Sequence, residues 1–246
     1  MELDVPDTFG QSVSGAAMKS IFVLTGAGIS AESGIQTFRG SDGLWEGYKV
    51  EDVASPGGFQ RDPSRVYRFY NMRRAEIREA VPNTAHLALA RLERDFPGTV
   101  TLVTQNIDDL HERAGSRDVI HMHGEAMKVR CLKCHAISPC EDTLDETNRC
   151  PACVTAGKLR PHIVWFGEVP LFMEEIGHAL EQADLFVSIG TSGVVYPAAG
   201  FAALAARHGI HTIEINPAST EISPHFDEHL RGPATEKVTE WVEGIL

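Results

Sequence analysis

Two cysteine pairs, Cys131-x-x-Cys134 and Cys150-x-x-Cys153, are separated by 15 residues in a chain with one further cysteine, Cys140. Four thiolates at that spacing can close a tetrahedral shell around Zn²⁺. A closed shell leaves no open position for a substrate, so one structural zinc per chain is expected. The competing reading is two disulfides or free thiols. An odd cysteine count and an expected cytoplasmic location favour metal. Cys140 is expected to be a non-ligand. His135 could compete for a ligand position, but the paired spacing favours Cys134.

A second pattern could hold an anion. Gly26, Gly28 and Ala31 follow the apolar run Ile21-Phe22-Val23-Leu24 and fit G-x-G-x-x-G/A. Such a strand-to-helix turn lets backbone amides and a helix N-terminus approach a dinucleotide pyrophosphate. The acidic residue that normally holds the ribose would fall at Glu51 or Asp52. The intervening SDGLWEGY is loop-like, not a crossover helix and second strand, which argues against an ordinary dehydrogenase. Gln105-Asn106-Ile107-Asp108 follows another apolar run, Val100 to Thr104. Its amide and carboxylate groups can bind ribose hydroxyls and a carboxamide, or simply cap a helix starting near Asp108. His121-Met122-His123-Gly124 follows Val119-Ile120, and either imidazole could be a general base or a satisfied structural group. Glycine at 124 would admit a substrate beside His123, which favours His123.

These groups need elements to position them. Apolar runs predict strands at 21–24, 100–104, 119–120, 185–189 and 210–215. Gly40 to Gly58 reads as a long loop. Asp62-Pro63 caps a predicted helix running to about Ala80, with Val66, Phe69 and Ile77 inward. A second helix starts at Asn83 or Thr84, and a third, Ala-rich, spans Ala198 to His208. Strands alternating with helices predict an α/β fold, a mainly parallel sheet covered on both faces. Polar clusters follow five strands: 26–30, 105–108, 121–124, 190–192 and Asn216. In such sheets ligands bind beyond the strands' carboxyl ends.

Composition limits the alternatives. The 246 residues can bury a substantial core, and 43% apolar with 23% charged residues is ordinary for a globular protein. No apolar run is long enough to span a bilayer. The N-terminal MELDVPDTFG lacks a basic-then-apolar leader, and a cytoplasmic location is expected. A formal charge of −12 argues against a nucleic-acid platform; by itself it is read first as serving solubility, and it also suits lysine-rich protein segments.

Taken together, GAGISAESGIQTFRG, TQNIDDLHERAG, HMHGE, the cysteine pairs, VWFGE and GTS resemble, in order, the sirtuin family of NAD-dependent protein-lysine deacylases. The resemblance covers nearly everything beyond the N-terminal tail. It implies a Rossmann-like domain (18–40, 81–126 and 161–246), a helical insertion and cofactor loop (41–80), a zinc module (127–160) and a tail (1–17). Gly26, Ala27 and Gly28 would face the NAD phosphates with Arg39 nearby, and Phe38 would sit by the nicotinamide. Gln105 and Asn106 would hold the nicotinamide ribose and Asp108 the carboxamide, with Ile107 beside them. Gly190, Thr191, Ser192, Asn216 and Ala234 would serve the adenosine half. Val164, Trp165, Phe166 and Gly167 would pair with the substrate backbone as an added strand. His123 would be the general base, with Asn106 also catalytic. NAD would be consumed as a co-substrate, yielding nicotinamide and 2′-O-acyl-ADP-ribose. The acceptors would be acylated-lysine protein segments, without nucleic acid or membrane, and the chain is expected to be a monomer.

Tyr70 and Arg73 lie three apart on the 63–80 helix and so share a face. This Tyr-x-x-Arg resembles the signature of sirtuins that remove succinyl, malonyl and glutaryl groups. A guanidinium and a phenol can hold an acyl carboxylate, and Ala54 would leave room for the chain. The plainer alternative buries Tyr70 and pairs Arg73 with Glu76. Desuccinylase and deacetylase activity is the leading expectation. Mono-ADP-ribosyl transfer and a non-catalytic zinc- and NAD-binding module are the alternatives.

Overall fold

The computed structural model describes residues 18–36, 44–45 and 47–246. In chain order, β1 (Ser20–Thr25) leads into a 3₁₀ segment, then a small hairpin of β2 (Leu44–Trp45) and β3 (Tyr48–Lys49). Helices α1 (Val50–Val53), α2 (Pro56–Arg61), α3 (Pro63–Glu79) and α4 (Thr84–Asp95) follow. Next come β4 (Thr99–Thr104), α5 (Leu110–Ala114), β5 (Val119–His121), β6 (Gly124–Cys131), β7 (Ile137–Pro139) and β8 (Leu159–Ile163). The chain ends with α6 (Met173–Glu181), β9 (Leu185–Ile189), α7 (Phe201–Arg207), β10 (His211–Ile215), β11 (Glu228–Leu230) and α8 (Ala234–Ile245).

Six strands form one sheet in the order β11-β10-β9-β1-β4-β5, with every neighbouring pair parallel. β1 lies inside it, Val23 registering with Leu102 on one side and Val187 on the other. Its side chains alternate between two cores. Ile21 and Val23 pack with Leu89 and Leu92 of α4 and Val238 and Trp241 of α8. Phe22 and Leu24 pack with Ile176 and Leu180 of α6 and Phe201 and Ala205 of α7. Helices on both faces explain why β1 is a continuous apolar run and not an alternating one. Parallel pairing also puts all six carboxyl ends at one edge.

Helix starts follow the sequence signals. Asp62 accepts from Arg65 N at 2.9 Å with Pro63 in the first turn, and Asn83 caps α4 through Ala85 N at 3.0 Å. The expected 40–58 loop is broken up in its described part by the β2–β3 hairpin and by α1 and α2. Here Ser55 accepts from Gly58 N at 2.9 Å and Pro56 opens α2, so a cap and a proline overcome two glycines. The expected Ala-rich helix begins as a 3₁₀ turn at Ala198–Gly200 before α7.

A second, antiparallel sheet, β7-β6-β8, stands outside the first. Its own core joins Tyr67 of α3 to Val129, Leu144, Leu159, Cys131 and Cys150. Tyr67 also donates its hydroxyl to Leu159 O at 2.8 Å, which ties α3 to β8. Among the described residues no helix is long and apolar enough to cross a membrane.

Candidate active site

A cavity of about 590 Å³ opens at the carboxyl ends of β1, β4, β9 and β10 and continues between them and α3. It is lined by Gly26, Ala27, Gly28, Gln105, Asn106, Ile107, Asp108, His123, Gly190, Thr191, Ser192 and Asn216, and at the far end by Ala54, Tyr70, Arg73 and Val164 to Gly167. Residues spread from 26 to 220 thus converge because the strands are parallel. Phe38 and Arg39 lie outside the described residues. Ala234 is the first residue of α8, buried in the core with Val238, and does not line the cavity.

The glycines at the β1 turn have a more specific reason than access for an anion. Gly26 N donates to Ile189 O at 2.9 Å and Gly28 N to Gly190 O at 2.8 Å, so both amides are engaged within the fold. A Cβ on Gly28 would stand 2.6 Å from Gly190 Cα, backbone against backbone. The two strand ends can touch only where neither has a side chain. Gly28→Ala is therefore expected to lower the thermal midpoint by about 4–8 °C, the effect of ~2 kcal/mol of overpacking. Scanning fluorimetry checks this; an unchanged midpoint would mean the turn relaxes freely.

The amide and carboxylate run after β4 forms one buried network. Ser30 Oγ donates to Asp108 Oδ2 at 3.1 Å and accepts from Asn106 Nδ2 at 3.1 Å, with His86 Nε2 3.4 Å away. Asp108 Oδ1 also accepts from Leu110 N, the first residue of α5, at 3.2 Å, while the N-cap position itself is Asp109, whose side chain makes no capping bond. Burial pushes the Asp108 carboxyl above its usual range. The sequence singled out neither Ser30 nor His86. Ser30 lies within the Gly-rich stretch, but nothing local connects His86 to it.

The two histidines separate cleanly. His121 is 5% exposed and its Nε2 meets Glu112 Oε1 at 2.6 Å. Burial pulls its pKa down, but the Glu112 carboxylate outweighs that and leaves it raised. His123 lines the cavity, and its Nδ1 lies 3.0 Å from Gln105 O. A carbonyl can only accept, so Nδ1 carries the proton and Nε2 keeps its lone pair. Burial holds the His123 pKa below the ordinary value, with the Gln105 bond opposing. Gly124 does not line the cavity. Its φ is 81° and a Cβ there would meet His162 O at 2.1 Å, so glycine serves the crossing of β6 over β8 and not substrate access.

At the far end Trp165 Nε1 donates to Tyr70 OH at 3.0 Å. Tyr70 is fully buried, and burial pushes its phenol pKa up, so it keeps a proton to donate. Arg73 is 3% exposed, lines the cavity and also pairs with Glu76 at 2.6 Å. The two readings of that residue are therefore compatible. The amides of Val164, Trp165 and Phe166 are bonded to His123 O (2.8 Å), Glu168 Oε2 (2.9 Å) and Ala54 O (2.9 Å). Pairing with an added strand would then have to use this segment's carbonyls and Gly167. Arg160 and Arg130 hold Glu168 at 2.7 and 2.9 Å, a clamp the sequence did not reveal because its members are far apart.

The four paired cysteines have their sulfurs within 4.8 Å of one another, with Cys131–Cys153 at 3.7 Å and Cys134–Cys150 at 3.6 Å. Zn–S bonds of about 2.3 Å in a tetrahedron place sulfurs roughly 3.8 Å apart, so the set fits a structural zinc ion. Cys140 is not in the cluster; its Sγ faces Asp142 O. His135 is not in it either.

The Sir2 family profile matches residues 26–197, well over half of the chain, and includes most of the cavity lining, His121 and His123, and the four paired cysteines. The chain belongs to the Sir2 family. A relative from Vibrio cholerae serotype O1, described as an NAD-dependent protein deacylase, is 55% identical over 230 residues, covering 93% of this chain and 94% of its own. A solved Sir2 homolog–NAD complex superposes with a TM-score of 0.83 at 43% identity, covering 93% of this chain and 90% of that one. A Sir2 mutant bound to a p53 peptide and NAD gives 0.76 at 30% identity, covering 93% and 92%. As a Sir2-family chain, it carries the parallel sheet, the four-cysteine module and, at the carboxyl ends of the sheet's strands, a cavity of the size that holds small ligands.

Proposed function

We propose that this Sir2-family chain is an NAD-dependent protein-lysine deacylase that removes succinyl and malonyl as well as acetyl groups. The observation that carries it is one cavity with two unlike ends: an imidazole with a free Nε2 beside Gln105, Asn106 and Asp108, and a buried phenol–guanidinium pair at Tyr70 and Arg73. The name of the 55% identical relative supports the reaction class over ADP-ribosyl transfer or a non-catalytic module.

NAD supplies a glycosidic bond whose cleavage exposes an electrophilic ribose carbon to the acyl oxygen. Thr191, Ser192 and Asn216 would hold its adenosine half, and the β1 turn its phosphates. Asn106 and Asp108, locked by Ser30, would orient the nicotinamide half. His123 Nε2 would take a proton relayed from the ribose hydroxyls. Tyr70 would donate its hydroxyl hydrogen, and Arg73 its charge, to a carboxylate at the acyl tip. Ala54 leaves that end roomy. The −12 charge suits lysine-rich segments, and we place the protein in the cytoplasm. We divide the chain into the large sheet domain, the 41–80 insertion and the 127–160 zinc module, with the cavity between the first two.

The test follows NAD-dependent removal of succinyl and acetyl groups from matched peptides by mass spectrometry. Wild type should cleave both and release 2′-O-acyl-ADP-ribose. Arg73→Met should lose at least about 100-fold in succinyl kcat/KM, the worth of a bidentate charged contact, while acetyl removal largely survives. Equal effects on both substrates would make Arg73 structural. ADP-ribosylated peptide without deacylation would replace the reaction class.

A further inference from the structure

One wall of the cavity is the segment from Asn216 to Thr220, which follows β10 directly. Bonded to that wall is a carboxylate that the proposed reaction does not use. β10 turns Ile213 and Ile215 into one core, so Glu214 between them faces the other side of the sheet. It is 0% exposed and does not line the cavity. Four donors converge on it. Thr220 Oγ1 donates to Oε1 at 2.8 Å, and Ser223 Oγ to Oε2 at 2.7 Å. Arg231 NH1 and His229 Nδ1 meet Oε2 at 2.7 and 3.1 Å. Burial alone would raise the Glu214 pKa; the bonds from Ser223, Thr220 and Arg231 outweigh it and leave the carboxyl below its usual range. The same guanidinium reaches the wall itself. Arg231 NH1 donates to Ala218 O at 3.3 Å, and NH2 to Ser219 Oγ at 3.4 Å. Thr220 N donates to Ser223 Oγ at 2.8 Å, which closes the segment back on the carboxylate.

We infer that Glu214 is a positioning residue for NAD binding: with Arg231 it holds the 217–220 wall in the shape that receives the adenosine half. This rests on the reading of Thr191, Ser192 and Asn216 as adenosine contacts. Pro217, Ala218 and Ser219 are exposed, so core packing does not hold them. Their place depends on the polar bonds that run from Glu214 through Arg231 and Thr220. A wall ordered before NAD arrives spares binding the entropy of ordering it. Asn216 is fixed from the other side, its Nδ2 donating to Thr191 O at 2.7 Å. The acidic partner of a phosphate turn, sought in the sequence at Glu51 or Asp52, would grip a ribose hydroxyl directly. Glu214 acts instead through the wall and touches neither NAD nor peptide.

The experiment compares Glu214→Gln and Arg231→Met with wild type by calorimetric titration of ADP-ribose, and by kcat and KM for NAD and for an acetyl-lysine peptide. Glutamine brings an amide donor to a site already lined by donors, at a fully buried position. Arg231→Met changes a side chain that is 32% exposed and leaves Glu214 its other three donors, so it decides alone if Glu214→Gln does not fold. The expected result in both is an ADP-ribose Kd and an NAD KM raised about tenfold, with kcat at saturating NAD and the peptide KM little changed. An ADP-ribose affinity equal to wild type in a folded variant overturns the inference. A loss carried by kcat, or shared by the peptide KM, overturns it too, because loosened folding alone would give that. Asn216→Ala separates the two readings. If it weakens ADP-ribose binding while the Glu214 and Arg231 variants do not, only the positioning role is lost. If it leaves ADP-ribose affinity intact, the adenosine reading falls and the inference falls with it.

Discussion

Replacing His123 with alanine is expected to lower deacylation kcat/KM by about 10²- to 10⁴-fold, the range for losing a positioned general base. NAD affinity should change little, because the proposed contacts to NAD come from the strand ends and not from this ring. The assignment rests on which nitrogen faces the cavity. Gln105 O can only accept, so the Nδ1 proton is fixed there and Nε2 is left basic. His121, two residues away, is a useful control. Its Nε2 is committed to Glu112 at 2.6 Å, and replacing it would leave a half-buried carboxylate without its partner. His121→Ala should therefore cost stability first and turnover only through misfolding.

The same residue sets a pH signature. A general base works only when neutral. Burial depresses the His123 pKa, so its neutral form persists to lower pH than an unperturbed histidine with pKa about 6.5. The acidic limb of kcat/KM against pH should then fall below about 6.5 and vanish in the residual activity of His123→Ala. An acidic limb above that value would point to a different titrating group and would sink the assignment.

How far the sequence reached follows from what each signal depends on. Strands 21–24, 100–104 and 185–189 were legible because a sheet covered on both faces demands continuous apolar runs. The convergence of Gly26, Gln105, Gly190 and Asn216 followed from parallel pairing alone. Zinc was legible because four thiolates need a fixed spacing. Gly28 and Gly124 were recognised as special, but their tight backbone packing was not legible, because the neighbours, Gly190 and His162 O, are distant in sequence. The bonding of the 164–166 amides was hidden for the same cause, since His123 and Ala54 reach them only through tertiary folding. Ala234 was named only through the family resemblance, and nothing local showed that α8 starts there and packs its side chain into the core. Local rules gave elements and chemistry; they could not supply contacts across the sheet.

Cys150→Ala is expected to abolish zinc binding, from about one ion per chain to none, and to remove deacylation by at least about 100-fold. Structural zinc in small modules contributes on the order of 10 kcal/mol to their folding. The module has little else: its core is Tyr67, Val129, Leu144 and Leu159 gathered around Cys131 and Cys150. The loss reaches the cavity through two covalent links. β6 begins directly after His123, and β8 runs directly into Val164 to Gly167. If β6 and β8 separate, Val164 N leaves His123 O, and Trp165 loses the position from which it supports Tyr70. The large sheet has its own two cores on α4, α6, α7 and α8 and should persist. Hydrogen exchange should therefore show rapid exchange in 124–163 with β1, β4 and β9 still protected. Metal content by mass spectrometry and exchange on the same sample decide the matter. A zinc-free variant with wild-type turnover would show that the module folds without metal and that the site does not depend on it.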